Sequence, residues 1–239
     1  GQIIQTLKDT GKLENTLILF TIDNGGCHVE YGKDRKGDYL PEETRDGRPM
    51  RPGNLPSIMP GPEDTYQSYG DGWANASNTP FRMFKQFDHE GGIRTPMIAH
   101  WPAGIKSPGR LVPAVSHLVD IAPTILEVTQ NNEAQNNEAQ NLTTTAPIIP
   151  QDGKSLAAAF TGNLEHDRTL FFDHARGSAL RHGNWKIVRE KKKPWELYNL
   201  RVDPLELDDL SKQQPHKLAE LTKVWERESK RLSRQAKIK

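Results

Sequence analysis

Apolar residues fall in short groups along the chain, and their spacing predicts the elements. Ile3, Ile4 and Leu7 share one face at helical spacing and Gly11 supplies a stop, which predicts a short N-terminal helix. Thr16 to Ile22 (TLILFTI) is an almost unbroken apolar run. Strands covered on both faces read this way, as in a parallel α/β sheet. The run ends at Asp23-Asn24-Gly25-Gly26, and ligands of open α/β sheets sit at the carboxyl ends of strands. Residues 28–80 then sustain no period and are punctuated by Pro41, Pro49, Pro52, Pro56, Pro60 and Pro62. So long an irregular stretch predicts a functional lid or a disordered segment. Tyr66, Tyr69 and Trp73 near its end favour a partly packed lid.

Phe81 to Phe87 predicts a short helix leading into His89-Glu90-Gly91-Gly92, and Ile93 to His100 a strand in which Pro96 marks an edge or irregularity. Asp120 is placed to cap a helix running through Val128, with Pro123 tolerated in its first turn. Residues 130–141 read QNNEAQNNEAQN, a tandem repeat with no apolar face, which predicts a flexible insertion over 130–146. After about residue 160 the texture changes. Leu170–His174, Ala179–Arg181, Trp185–Val188 and Glu196–Leu200 are short strand-like runs with Gly177, Gly183 and Pro194 in or near their turns, predicting a small antiparallel sheet. Pro215 opens a helix whose Leu218, Leu221, Val224, Trp225 and Leu232 share a face suited to that sheet. The expected organisation is therefore α/β over 1–160, including the 28–80 loop, followed by an antiparallel subdomain with a terminal helix over 161–239.

Composition narrows the function. The 239 residues are 34% hydrophobic and 26% charged, with a mean hydropathy of −0.75. This length can bury a core without a disulfide or metal staple. Lys+Arg (32) nearly cancels Asp+Glu (31), which argues against a nucleic-acid partner. No apolar run approaches a membrane span. One cysteine, Cys27, excludes an internal disulfide and a multi-cysteine zinc site. The helical opening without initiator Met or leader suggests the later portion of a longer protein.

Candidate chemistry begins at Asp23-Asn24. A carboxylate and an amide oxygen on adjacent residues after a buried strand suit a hard cation such as Ca²⁺ or Mg²⁺. Such a pair also serves commonly as an Asx turn closing a strand. Lys85 stands five residues before Glu90-Gly91-Gly92 and offers a compact cation to an anionic substrate; a solvated surface lysine is the plainer use. Glu90 is a candidate ligand, or a pairing or capping residue beside a Gly-Gly turn. Among His28, His89, His100, His117 and His174, none forms H-E-x-x-H. His174 closes the apolar run Leu170–Phe172, in a position to face a pocket. No G-x-S-x-G, P-loop or dinucleotide fingerprint is present.

Together these pieces resemble the latter part of a sulfatase of the bacterial arylsulfatase type, within the alkaline phosphatase superfamily. The resemblance lies in TLILFTIDNGG (Thr16–Gly26), NTPFRMFKQFDHEGGIRTPMIAHWPAGI (Asn78–Ile105), VSHLVDIAPTILE (Val115–Glu127) and DGKSL (Asp152–Leu156), in that order. FFDHARGSALRHGNWKIV and WELYNLRVDPLELDDL resemble the family's C-terminal subdomain. The resemblance implies an α/β fold with a small C-terminal antiparallel sheet, and hydrolysis of a sulfate ester by a formylglycine nucleophile. It implies that Asp23 and Asn24 supply two ligands of a Ca²⁺ ion and that Lys85 contacts the sulfate and the leaving-group oxygen. His174 is the further substrate-side candidate, and the compartment expected from the family is periplasmic or extracellular.

The C/S-x-P-x-R segment that carries the nucleophile is absent from these residues. Cys27 does not replace it, because Val29 stands where proline is required. The nucleophile and the remaining Ca²⁺ ligands are expected in a preceding part of the protein, and the 239 residues alone are expected to be inactive. The partner implied is a small-molecule or carbohydrate sulfate ester. Rival readings are a phosphodiesterase or phosphonate hydrolase on the same scaffold, and a non-catalytic relative that binds sulfated glycans.

Overall fold

A computed structural model describes residues 1–33, 37, 39–133, 152–162, 167–174 and 176–236. The helices in chain order are α1 (Gln2–Asp9), α2 (Gly70–Asn78), α3 (Glu90–Ile93), α4 (Ile121–Glu133), α5 (Ala157–Thr161) and α6 (Pro215–Gln235). The strands are β1 (Ile18–Thr21), β2 (Arg51–Pro52), β3 (Thr65–Tyr66), β4 (Met97–His100), β5 (Thr169–Asp173), β6 (Gly177–His182), β7 (Trp185–Glu190) and β8 (Glu196–Asn199). The chain forms two compact units, Gly1–Phe20 with Met97–Leu170, and Thr21–Pro96 with Phe171–Lys239.

In the first unit α1 ends where expected, with Gly11 in the left-handed region at φ 66°. β1 pairs with β4, which begins only after Pro96 because proline cannot donate to a ladder. Asp120 is fully buried and ties the unit together. It does not cap α4 directly. The cap is one turn earlier, at His117, whose Nδ1 accepts the Val119 N–H at 3.2 Å while Asp120 Oδ2 accepts the His117 N–H at 2.7 Å. Asp120 also accepts the Lys154 N–H at 2.9 Å and both guanidinium arms of Arg168. α4 runs past Val128 to Glu133, so the start of the glutamine/asparagine repeat is helical; the rest of the predicted insertion lies outside the described residues.

The second unit is built on the sheet β5–β6–β7–β8. β6 and β7 pair antiparallel with Ala179 opposite Val188 and Leu180 opposite Ile187, and β7 and β8 with Ile187 opposite Leu197. Period-two alternation gives the sheet two faces. Leu180, Ile187 and Leu197 pack with Leu221 of α6, and Phe171, Trp195 and Trp225 close that layer. Trp225 stacks on Phe171 at 5.4 Å and donates Nε1–H to the Phe172 carbonyl at 3.2 Å. The other face carries Ala179, Val188, Tyr198 and Leu200.

Two further local readings are corrected. Gly70–Asn78 is helical within the stretch read as irregular. Only Gly70 and Ala74 are buried in it, so no apolar period announces it, and its first turn is satisfied from outside: Glu30 Oε1 accepts the Asp71 N–H at 3.0 Å. Phe81 to Phe87 is not helical. Met83 and Gln86 lie at positive φ, and carbonyls a helix would use internally face the neighbouring glycine turn instead, the Gly91 N–H donating to Arg82 O at 2.8 Å.

Candidate functional site

The turn after β1 is locked by backbone bonds within the second unit. Gly25 donates its N–H to Gly92 O at 2.9 Å, and Gly26 donates to Asn78 Oδ1 at 3.0 Å. The Lys85 N–H donates to Gly26 O at 3.0 Å. Asp23-Asn24 and Lys85, more than sixty positions apart in sequence, are thus joined through Gly26. The approach needs glycine: a Cβ at Gly26 would meet Ala74 Cα at 3.0 Å and the Tyr69 ring at 3.2 Å.

Asp23 is exposed and Asn24 half-buried. Asn24 Nδ2 donates to Gly25 O at 2.8 Å, which leaves its amide oxygen as the atom able to ligate a cation. Among the described residues neither the Asp23 carboxylate nor the Lys85 ammonium is engaged in an ion pair or hydrogen bond. The donor set fits a hard cation such as Ca²⁺, supplying two of the roughly six to eight oxygens it takes. Among the described residues no group of three or more His, Cys, Asp or Glu side chains is gathered to hold a metal.

The charges that flank Lys85 in sequence are, by contrast, committed. Glu90 is buried and pairs through Oε1 with Lys186 Nζ at 2.8 Å, which in turn pairs with Glu206 at 2.7 Å. Burial alone would raise the Glu90 carboxyl, but Lys186 outweighs it and holds it below its ordinary value. Burial likewise opposes charge on Lys186, and the two carboxylates overcome it and raise its pKa. Glu90 is therefore a pairing residue and not a free ligand. Arg82 Nη1 donates to Tyr198 OH at 2.9 Å and to Glu206 O at 3.0 Å. His89 Nε2 and the Tyr198 hydroxyl both meet Glu196 Oε2, at 3.1 and 2.5 Å.

His174 lies beside Asp88, with Nε2 3.0 Å from Asp88 Oδ1. Its Nδ1 accepts the Arg176 N–H at 3.1 Å, so in the neutral ring the proton resides on Nε2 and points at Asp88. Both ring nitrogens are used. Burial raises the pKa of Asp88, with His174 acting against that shift. His174 is thus linked to the segment bearing Lys85, through Asp88, and has no ring nitrogen left for a ligand in this tautomer.

Residues 1–131 match the profile of the family described as Sulfatase, and residues 81–235 match that described as N-sulphoglucosamine sulphohydrolase, C-terminal. The chain belongs to the sulfatase family. It is 31% identical over 236 residues to an uncharacterized sulfatase of Schizosaccharomyces pombe, covering 94% of this chain and 40% of that protein. It is 30% identical over 159 residues to the arylsulfatase of Klebsiella aerogenes, covering 66% of this chain and 31% of that protein. The solved structure of Ps i-CgsB superposes with a TM-score of 0.61 at 21% identity, covering 96% of this chain and 40% of that one. Ps i-CgsB has also been solved in complex with k-i-k-neocarrahexaose. The chain therefore spans 40% or less of these relatives' length. Its fold is the alkaline phosphatase-like fold of sulfatases, with the small antiparallel sheet and C-terminal helix expected from the sequence.

Sequence reasoning about this sulfatase chain missed Lys186, Glu206, Arg82 and Glu196. The available signal was a lysine inside the apolar run Trp185–Val188, on the face shared by Val188. A lysine there needs buried acidic partners, but the sequence does not say which.

Proposed function

We propose that the protein containing these residues hydrolyses sulfate esters in the manner of an arylsulfatase, with Lys85 as the cation that meets the sulfuryl group. The observation that carries this reading is the contrast around Lys85. Its backbone is fastened to Gly26 O, three residues beyond Asp23, and its ammonium is uncommitted among the described residues, while Arg82, Asp88, Glu90 and Glu196 are all paired.

Asp23 and Asn24 would hold Ca²⁺, which when bound polarises sulfate oxygens. Lys85 would stabilise charge developing on the sulfuryl oxygens and on the departing oxygen. Its main chain is already held for this, because the turn that carries it is fixed by the bond from the Lys85 N–H to Gly26 O. The nucleophile, a formylglycine in the family, would come from outside these residues. The substrate would be a small-molecule or carbohydrate sulfate ester; the carbohydrate complex of Ps i-CgsB supports the latter.

The test is turnover by the full-length protein of 4-nitrophenyl sulfate against 4-nitrophenyl phosphate and a phenylphosphonate ester. Preferential sulfate hydrolysis is expected. Preferential hydrolysis of a phosphorus ester would replace the reading with a phosphodiesterase or phosphonate hydrolase. Binding of sulfated glycan without any turnover would replace it with a non-catalytic relative.

A further inference from the structure

Lys85 sits in the middle of a segment, residues 82–90, that is not a helix and has little regular hydrogen bonding of its own. Its two ends are nevertheless fixed, and by the same residue. At one end Arg82 Nη1 donates to the main-chain carbonyl of Glu206 at 3.0 Å. At the other, Glu206 Oε2 accepts the Glu90 N–H at 2.7 Å. The remaining Glu206 oxygen pairs with Lys186 Nζ at 2.7 Å, and Lys186 returns to Glu90 Oε1 at 2.8 Å. Both Glu206 and Lys186 are 0% exposed.

Glu206 achieves this from φ 60°, a left-handed conformation that residues other than glycine seldom adopt. A conformation of that kind persists only where its surroundings over-determine it. A buried ion pair is in itself poor evidence of added stability, because desolvation offsets much of the attraction. What this arrangement supplies is geometry. Within the glycine turn that follows, the Gly91 N–H donates to Arg82 O at 2.8 Å and Gly92 O accepts the Gly25 N–H at 2.9 Å. The clamp on residues 82 and 90 is thereby continuous with the turn that follows Asp23-Asn24.

We propose that Glu206, held by Lys186, is a positioning residue for Lys85: it grips both ends of the 82–90 segment and so sets where the Lys85 ammonium meets the ester. The proposal rests on Lys85 acting on the ester as described above. Glu206 touches neither substrate nor metal; it acts through Lys85.

A double-mutant cycle in the full-length enzyme tests it, with 4-nitrophenyl sulfate as substrate. Glu206→Gln keeps the volume and an acceptor for the Glu90 N–H but removes the charge that holds Lys186. With Lys85 present, Glu206→Gln should lower kcat by about 10- to 100-fold, the cost of a displaced catalytic group, with KM changed by less than about 2-fold. In a Lys85→Ala background the same substitution should lower kcat by less than about 2-fold, because residues acting through one another are not additive. Arg82→Gln, which releases the other end from a half-exposed position, should show the same non-additivity, and serves if Glu206→Gln does not fold. Equal factors in both backgrounds, or no effect on kcat, would overturn the positioning role. If Lys85→Ala alone leaves kcat unchanged, the catalytic reading of Lys85 falls and takes this proposal with it.

Discussion

Gly25 and Gly91 are packed backbone to backbone: a Cβ on Gly25 would lie 1.9 Å from the Gly91 carbonyl oxygen. The contact draws the turn after β1 against the turn after His89, and the Gly25 N–H seals it with the bond to Gly92 O. Gly25→Ala should therefore destabilise by about 3 kcal/mol, at the upper end of ordinary overpacking, since the atom met is backbone and cannot rotate away. Gly72, within α2, has nothing within 4 Å of its Cβ position, so Gly72→Ala should stabilise by about 0.4–1 kcal/mol. Urea unfolding midpoints check both. A midpoint for Gly25→Ala equal to that of the wild type would show that the turns do not meet as described.

Lys85→Ala in the full-length enzyme should lower kcat by about 10²–10³, the usual loss for one preorganised charge-stabilising contact, and at least as much as it weakens binding. Lys85→Arg should not restore full activity, because a planar guanidinium does not reproduce a compact ammonium. Steady-state kinetics decide the matter. Unchanged sulfatase turnover in Lys85→Ala would reject the assignment.

Asp23→Ala removes an anionic oxygen from the Asp23-Asn24 pair and should weaken Ca²⁺ binding by at least about tenfold, given that site affinity follows ligand charge. Asn24→Ala removes a neutral oxygen and should weaken it less. Calorimetric titration of Ca²⁺ into the full-length wild type and both variants gives the ranking. Equal affinities across the three would remove the pair from the metal site.

What could be read from the sequence was what the chain writes locally. The four strands after residue 168 and α6 were legible because their periods are contiguous: Leu180, Ile187 and Leu197 alternate with the opposite face, and Leu218, Leu221, Val224 and Trp225 fall on one helical stripe. Asp23-Asn24 and Lys85 were candidates by residue type and position, each with a plainer use beside it, and the ordered resemblance is what singled them out. α2 escaped because its first turn is satisfied by Glu30, 41 residues earlier. The Phe81–Phe87 segment misled because its aromatic residues look helical while its carbonyls serve Gly91 and its Phe84 ring stacks on His28 at 4.9 Å. Lys186 was invisible as a buried charge because Glu90, its partner, lies 96 positions away. Long-range polar partners leave no periodic trace.

Glu196 offers a pH-dependent test of that hidden network. Burial alone would raise its carboxyl, but His89, the Tyr198 hydroxyl and Arg82 outweigh it and hold its pKa at about 2, against an ordinary 4.5. The same contact pushes the Tyr198 hydroxyl upward, burial acting first and Glu196 adding to it. Because the folded pKa lies below the ordinary one, the ionised carboxylate stabilises the fold above pH 4.5, and that contribution is lost as pH falls from there toward 2. The Glu196 side chain is 23% exposed, so solvent screens part of the effect. Glu196→Gln should lower stability at neutral pH, where it deprives Arg82 and His89 of their anionic partner. It should also flatten the loss of stability between about pH 5 and pH 2.5, because the group that takes up a proton on unfolding is gone. Urea midpoints of wild type and variant at those two pH values give the comparison. An identical drop in both proteins would mean that Glu196 is not held ionised by His89, Tyr198 and Arg82.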